Sequence, residues 1–403
     1  MQLGWIDFSR EQRNKVLSVI HLLTEPTAVD ELGIGAIRDG FADIFFPGTS
    51  TIQTRAKYFV LVPAILAELE QARNLKPDTM LKMLHEVELD LIDVLLDNSP
   101  PNSIGIIGED ARRNLKRKPS EIYWNGLRTF GIFCGNRMSI SEYIKLACVL
   151  QEQKKCAFTL GNVRNTGDEN DSDDGRALAS GIGGIWRIPP LERNWKEVVS
   201  ITLTAAEATF LKERILKSVP HSLLAFVLAS DRYDFVQYAD FDELAALLPA
   251  LSADLAVDYT MARMFMNFIY GAYIRYNMML CSGEDEDCRE DWEQWAVGMP
   301  VHASIDLNAM AVRLTQNGVR IDSRLQHFLH LLQVDMRAGD IGQMDRHIME
   351  RELQLKGRTR SKLHNVASQQ YKGWVGIRKL VYRLPSAQRI VADIFEGAGE
   401  DNA

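Results

Sequence analysis

The stretch "AVDYTMARMFMNFIYGAYIRYNMML", Ala256–Leu280, decides the fold class. Its apolar residues fall on several faces of a helix instead of one stripe, the pattern of a helix buried on most sides. Outward from it the same period recurs at Thr54–Gln71, Asp78–Leu96, Ser139–Gln151, Asp322–Arg337 and Gly342–Leu355, the last stopped by Gly357. Ser9 with Gln12, Thr204 with Glu207 and Asp240 with Glu243 supply paired start signals of the capping-box type. Few stretches alternate at period two over five residues. The expected fold is mostly α, a multi-helix protein of two to three domains with little or no sheet.

At 403 residues, 46% apolar and 25% charged, the chain has the length and composition of packed globular domains. Two segments break the helical pattern. "GNVRNTGDENDSDDGRALASGIGG", Gly161–Gly184, is acidic and glycine-rich, and "SGEDEDCREDWEQW", Ser282–Trp295, is acidic again. They divide the chain into an N-terminal helical domain (1–160), a loop (161–185), a central helical domain (186–283) and a C-terminal helical domain (284–403). The longest apolar run, "YFVLVPAILA" at Tyr58–Ala67, is about half a membrane crossing and contains Pro63. The opening "MQLGWIDFSR" lacks both the basic and the apolar region of a secretory leader. Five cysteines without a CxxC pair fit a reduced compartment, so a cytoplasmic location without membrane contact is expected.

The net charge of −8 argues against nucleic-acid binding by the whole surface, but the charge is uneven. Between Leu353 and Ala392 there is no acidic residue, while nine Lys and Arg occur. Within it, "KGRTRSKLHN" carries Lys356, Arg358, Arg360 and Lys362, and Tyr371, Trp374 and Tyr382 follow. Cations for phosphates and rings for bases are what a nucleic-acid contact needs. Lys356, Arg358, Arg360, Lys362 and Trp374 are therefore the C-terminal candidates. The bland alternatives are a solubilising face or a surface for an acidic protein, including the chain's own acidic segments.

A second candidate is "FPGTSTIQTRAKYF", Phe45–Phe59. A helix opening there would present unpaired N–H groups beside several hydroxyls, and one hydroxyl suffices as a cap. Thr49, Ser50, Arg55 and Lys57 could hold a phosphate at that N-terminus. A capped helix with a solvated basic face is the plain alternative. "RRNLKRKPSEIYWNGLRTFGIF", Arg112–Phe133, with the helical pattern after Ser139, allows a weaker helix-turn-helix reading.

The catalytic inventory is thin, and no cofactor is indicated. There is no Walker lysine motif, no HExxH and no HxK signature. The GxG at Gly33 and Gly35 lacks its third glycine and a preceding strand. His327 and His330 stand at i, i+3, but in an ordinary amphipathic pattern without nearby cysteines. A metal-dependent nuclease would have to draw acids from Asp39, Asp43 and distant residues.

The blocks "LGWIDFS", "DELGIGAIRDGFADIFFPGTSTIQTRAKYF", "RKPSEIYWNGLRTFGI" and "RELQLKGRTRSKLHN" resemble the landmarks of an uncharacterised bacterial family, a domain of unknown function spanning nearly the full chain. Such proteins resemble accessory components encoded in genome-defence islands, near helicases and phospholipase D-like nucleases. The resemblance implies an antiphage or DNA-processing complex and brings no catalytic residue set. The expected function is a noncatalytic subunit of a DNA-directed defence complex that binds nucleic acid, DNA above all, or partner proteins through its basic patches. A nuclease and a pure protein adaptor are the alternatives.

Overall fold

The computed structural model describes residues 30–72, 76–135, 137–161, 184–365 and 371–399. Ser9, Gln12 and most of the Gly161–Gly184 segment lie outside them. The fold is mostly α and multi-helix; among the described residues no strand occurs, only an isolated bridge between Phe133 and Trp186. In chain order the helices are α1 (Gly35–Phe45), α2 (Tyr58–Leu69), α3 (Pro77–Asn98), α4 (Pro119–Thr129) and α5 (Ile140–Gly161). Then come α6 (Trp195–Val198), α7 (Ala205–Ser218), α8 (Leu223–Ala229), α9 (Ala253–Leu280) and α10 (Glu286–Val297). The series ends with α11 (Met299–His302), α12 (Leu307–Gln316), α13 (Ser323–Ala338), α14 (Ile341–Lys356) and α15 (Leu384–Gly399). They cluster into two compact units, each discontinuous in sequence: residues up to Phe46 with Gln237–Pro385, and Pro47–Val236 with Ser386 onward.

The first unit is built around α9. Ser252 opens this helix by accepting from the Leu255 N–H at 3.3 Å. Phe265, Met266, Phe268, Ala272, Tyr273, Ile274 and Tyr276 are all inaccessible, so several of its faces are covered, as its apolar pattern requires. Helices α1, α10, α11 and α14 pack on it, which is why α1, far away in sequence, joins this unit. The start signal at Asp240 and Glu243 opens a 3-10 segment, Glu243–Ala250, that contains Pro249. The close approach of α10 depends on Gly271. A β-carbon there would lie 2.2 Å from the Trp295 ring, whose N–H is held by the Asn267 carbonyl at 2.7 Å. Gly271→Ala should therefore destabilise the protein by about 1–3 kcal/mol, read as a lower denaturation midpoint with unchanged far-UV dichroism.

In the second unit α2 is the buried element: every residue of it except Glu68 is buried. It packs on α3 and α4, with the Phe59 and Tyr123 rings edge to face at 4.9 Å. The helix begins later than its periodicity predicts, at Tyr58 instead of Thr54. The reason is local: the Thr54 and Arg55 N–H groups donate to the Tyr123 hydroxyl and that of Ala56 to Asp393, holding this stretch out of the helix.

Helix α4 begins at Pro119, where the Ser120 N–H and hydroxyl both donate to Glu88 of α3, at 2.5 and 3.1 Å. Burial of this carboxyl pushes its pKa up to about 8 despite those two donors. A folded-state pKa above the unfolded value contributes stability below the unfolded pKa and loses it as pH rises toward 8. Stability should therefore fall between pH 5 and pH 8 by an amount on the order of 2 kcal/mol. In Glu88→Gln that slope should be largely removed, as urea midpoints at the two pH values will show.

Candidate nucleic-acid interface

The basic C-terminal segment is organised by two carboxylates with no solvent exposure, Glu31 and Glu352. Helix α14 ends at Gly357, which adopts φ 71°, a conformation costly for any other residue. The chain then turns back, and Glu352 collects the turn. It accepts from the Ser361 hydroxyl at 2.7 Å and from the Lys362 and Leu363 N–H groups at 3.0 Å. It also accepts from the Lys356 ammonium at 2.9 Å and the Tyr276 hydroxyl at 2.7 Å. Glu31 pairs with Lys362 at 2.8 Å and with Lys356. Further on, the Asn277 side-chain amide exchanges two hydrogen bonds with Val375, at 2.7 and 3.0 Å, and so docks the Trp374 stretch onto α9.

The acid-free segment is thus supplied with carboxylates from elsewhere in the fold. Lys356 and Lys362 use Glu31, Arg378 uses Asp291, Lys379 uses Asp242, and Arg383 uses Asp43 and Asp39. Asp291 comes from the acidic Ser282–Trp295 stretch, so part of the basic block does meet the chain's own acid. Arg358, Arg360 and Lys372 are exposed and make no ion pair among the described residues. Among the described residues the Arg360 guanidinium reaches the Lys356 carbonyl, at 3.2 Å. Trp374 is half-buried, with the Arg378 guanidinium 5.2 Å and the Tyr270 ring 6.1 Å from its centre. It supports Arg378 more than it offers an open ring to a base. Of the five C-terminal candidates, Arg358 and Arg360 keep a free charge, Lys356 and Lys362 hold the turn together, and Trp374 backs a neighbouring cation.

The N-terminal candidates are buried in the second unit. Thr49, Arg55 and Lys57 are buried, and Ser50 is half-buried with its hydroxyl unbonded. The Arg55 guanidinium clamps Asp393 at 2.8 and 3.0 Å and reaches the Ile104 carbonyl at 3.2 Å. Lys57 donates to Glu207 at 2.6 Å, and Glu207 also closes the capping box of α7 with Thr204. No helix starts at Thr49, so no row of open N–H groups faces outward, and both cations are already neutralised. The expectation of an external phosphate here gives way to a pair of internal salt bridges.

The remaining motifs settle in the same way. Arg112 and Arg113 pair with Asp93 and Asp90, and the Tyr123, Trp124 and Phe130 rings are buried, so they present no face to a nucleic acid. Asp39 and Asp43 face Arg38 and Arg383. His327 lies in a groove with His347 of α14, a neighbour that the His327–His330 spacing does not reveal. A second histidine one helix later, beside Arg346 and Arg351, was the sequence signal for it.

Removing the Arg55 side chain leaves Asp393 buried without its cation. Arg55→Ala should cost about 3–5 kcal/mol of stability, measured by chemical denaturation.

No curated protein and no solved structure matches the chain. A family model does match its N-terminal part, taking in "LGWIDFS", the Phe45–Phe59 stretch and "RKPSEIYWNGLRTFGI" but not the basic C-terminal segment. Residues 1–148 match the model of DUF6361, a family of unknown function.

Proposed function

We propose that this chain is a noncatalytic binding subunit of a DNA-directed bacterial defence complex, and that it contacts nucleic acid through the turn after α14. The observation that supports this is the pair Arg358 and Arg360, exposed and without a carboxylate partner among the described residues, on a turn held by Glu352. Arginine suits phosphate because its planar fork donates two parallel hydrogen bonds. Lys372 and the half-exposed Arg378 extend the positive surface. Partner helicases or nucleases of the kind the resemblance implies would supply the chemistry. The metal-dependent nuclease reading has less support, because Asp39 and Asp43 are committed to arginines.

The test separates charge from fold. Replacing Arg358 and Arg360 with Ser should leave stability within about 0.5 kcal/mol, since neither is buried or ion-paired. On duplex DNA it should flatten the plot of log affinity against log salt by up to about 0.9 for each phosphate that is no longer neutralised. Unchanged affinity and slope in a folded variant would reject the interface and leave the segment to an acidic protein partner.

A further inference from the structure

Helices α13 and α14 enclose a groove of about 430 Å³ that is separate in its residues from the basic turn. Its walls carry Arg324 and His327 from α13 and His347 and Arg351 from α14, over the ring of Phe328. Glu350 is the one carboxylate among its described lining residues. Arg351 is 5% exposed, yet no carboxylate lies within ion-pair distance of it among the described residues. Its guanidinium is solvated by neutral acceptors: the Leu32 carbonyl at 2.9 Å, the Gly33 carbonyl at 3.4 Å and the Gln354 side chain at 3.3 Å. It sits 5.5 Å from the centre of the Phe328 ring. Those acceptors satisfy three N–H groups, while the acids that act on the charge, Asp322 and Asp30, make no ion-pair contact with it.

A buried cation without a contact ion pair is costly, and here it lines a cavity open to a ligand. Two further groups point the same way. Asp335, itself buried, binds Nδ1 of His347 at 2.6 Å and so fixes the ring in the groove wall. Arg324 and His327 are exposed at the rim and make no ion pair among the described residues. The volume is within the range of small-molecule sites, and an apolar floor beneath a cationic rim suits a ligand with a flat ring and a dianionic head. We infer that the α13–α14 groove binds a phosphomonoester of nucleotide size, its phosphate between Arg324, His327 and Arg351. The ligand could be a free nucleotide or the phosphorylated end of a strand, which share this chemistry.

Calorimetric titration of the full-length protein with AMP, adenosine, and an oligonucleotide with or without a 5′-phosphate tests this. AMP should bind, and adenosine should bind at least about tenfold more weakly, because it has no phosphate to accept charge-assisted hydrogen bonds. Arg324→Ser with His327→Ala should weaken AMP by about tenfold or more with an unchanged melting temperature. Glu350→Gln should tighten it by up to about fivefold, which keeps the test open if the double variant folds poorly. Binding of the 5′-phosphorylated oligonucleotide but not of AMP, abolished in the same variants, supports the site and names strand ends as its ligand. Replacing Arg358 and Arg360 with Ser should leave AMP binding intact, so a failure of the interface at the basic turn would be seen separately. If neither AMP nor the phosphorylated oligonucleotide binds, or if binding is equal in the double variant, the assignment is wrong.

Discussion

Two carboxylates removed from water, Glu31 and Glu352, constrain everything around the C-terminal turn. An ionised carboxylate in the interior costs several kcal/mol unless donors surround it. The chain answers with Lys356, Lys362, Tyr276, Ser361 and two backbone N–H groups, gathered from α9, α14 and the turn itself. Satisfying these acids fixes where residues 357–365 run, and therefore which of the closely spaced cations face outward. Both lysines are drawn in, Lys356 bridging Glu31 and Glu352 with one ammonium and Lys362 pairing with Glu31 while its N–H donates to Glu352. The two arginines are left exposed on the turn.

The second unit obeys the same rule with different parts. Its non-helical stretch before α2 is buried, so the free N–H groups of Thr54, Arg55 and Ala56 must find acceptors, and Tyr123 and Asp393 provide them. Asp393 in turn needs a cation, and Arg55 supplies it from the same stretch. Glu88 does for the start of α4 what Asp393 does before α2, but without a cation, and its raised pKa is the consequence. Glu88, Glu207, Glu352 and Asp393 are buried acids that serve as acceptors for backbone N–H groups outside helix hydrogen bonding.

This explains what could be read from the sequence and what could not. The helices were legible because their stability comes from apolar periodicity, a local property that α9 displays over its whole length. The capping box of Thr204 and Glu207 was legible for the same reason, since its two residues lie three apart. The surplus of cations after Leu353 was also visible, and Arg358 and Arg360 are the exposed pair within it. The division between them and Lys356 and Lys362 was not visible, because Glu31 lies 331 residues from Lys362. Arg55 and Lys57 misled for a related reason. Their partners, 338 and 150 residues away, turn a stretch that reads as an exposed basic helix start into buried wiring.

The sharpest contrast lies between neighbours. Arg351 and Glu352 are adjacent on α14 and both buried, yet they do not pair with each other. Successive residues of a helix point about 100° apart, so each must be satisfied on its own side. On the side of Glu352 the fold supplies one ammonium group and four neutral donors. On the side of Arg351 it supplies carbonyls and an amide, which accept hydrogen bonds but do not cancel charge. A fold that needed only a rigid helix there could have used a neutral residue at 351, as it uses Gln333 to bind two carbonyls of the Ala303–Ile305 turn. Keeping a cation instead leaves a positive centre against the Phe328 ring in the groove wall, with no carboxylate in ion-pair contact among the described residues.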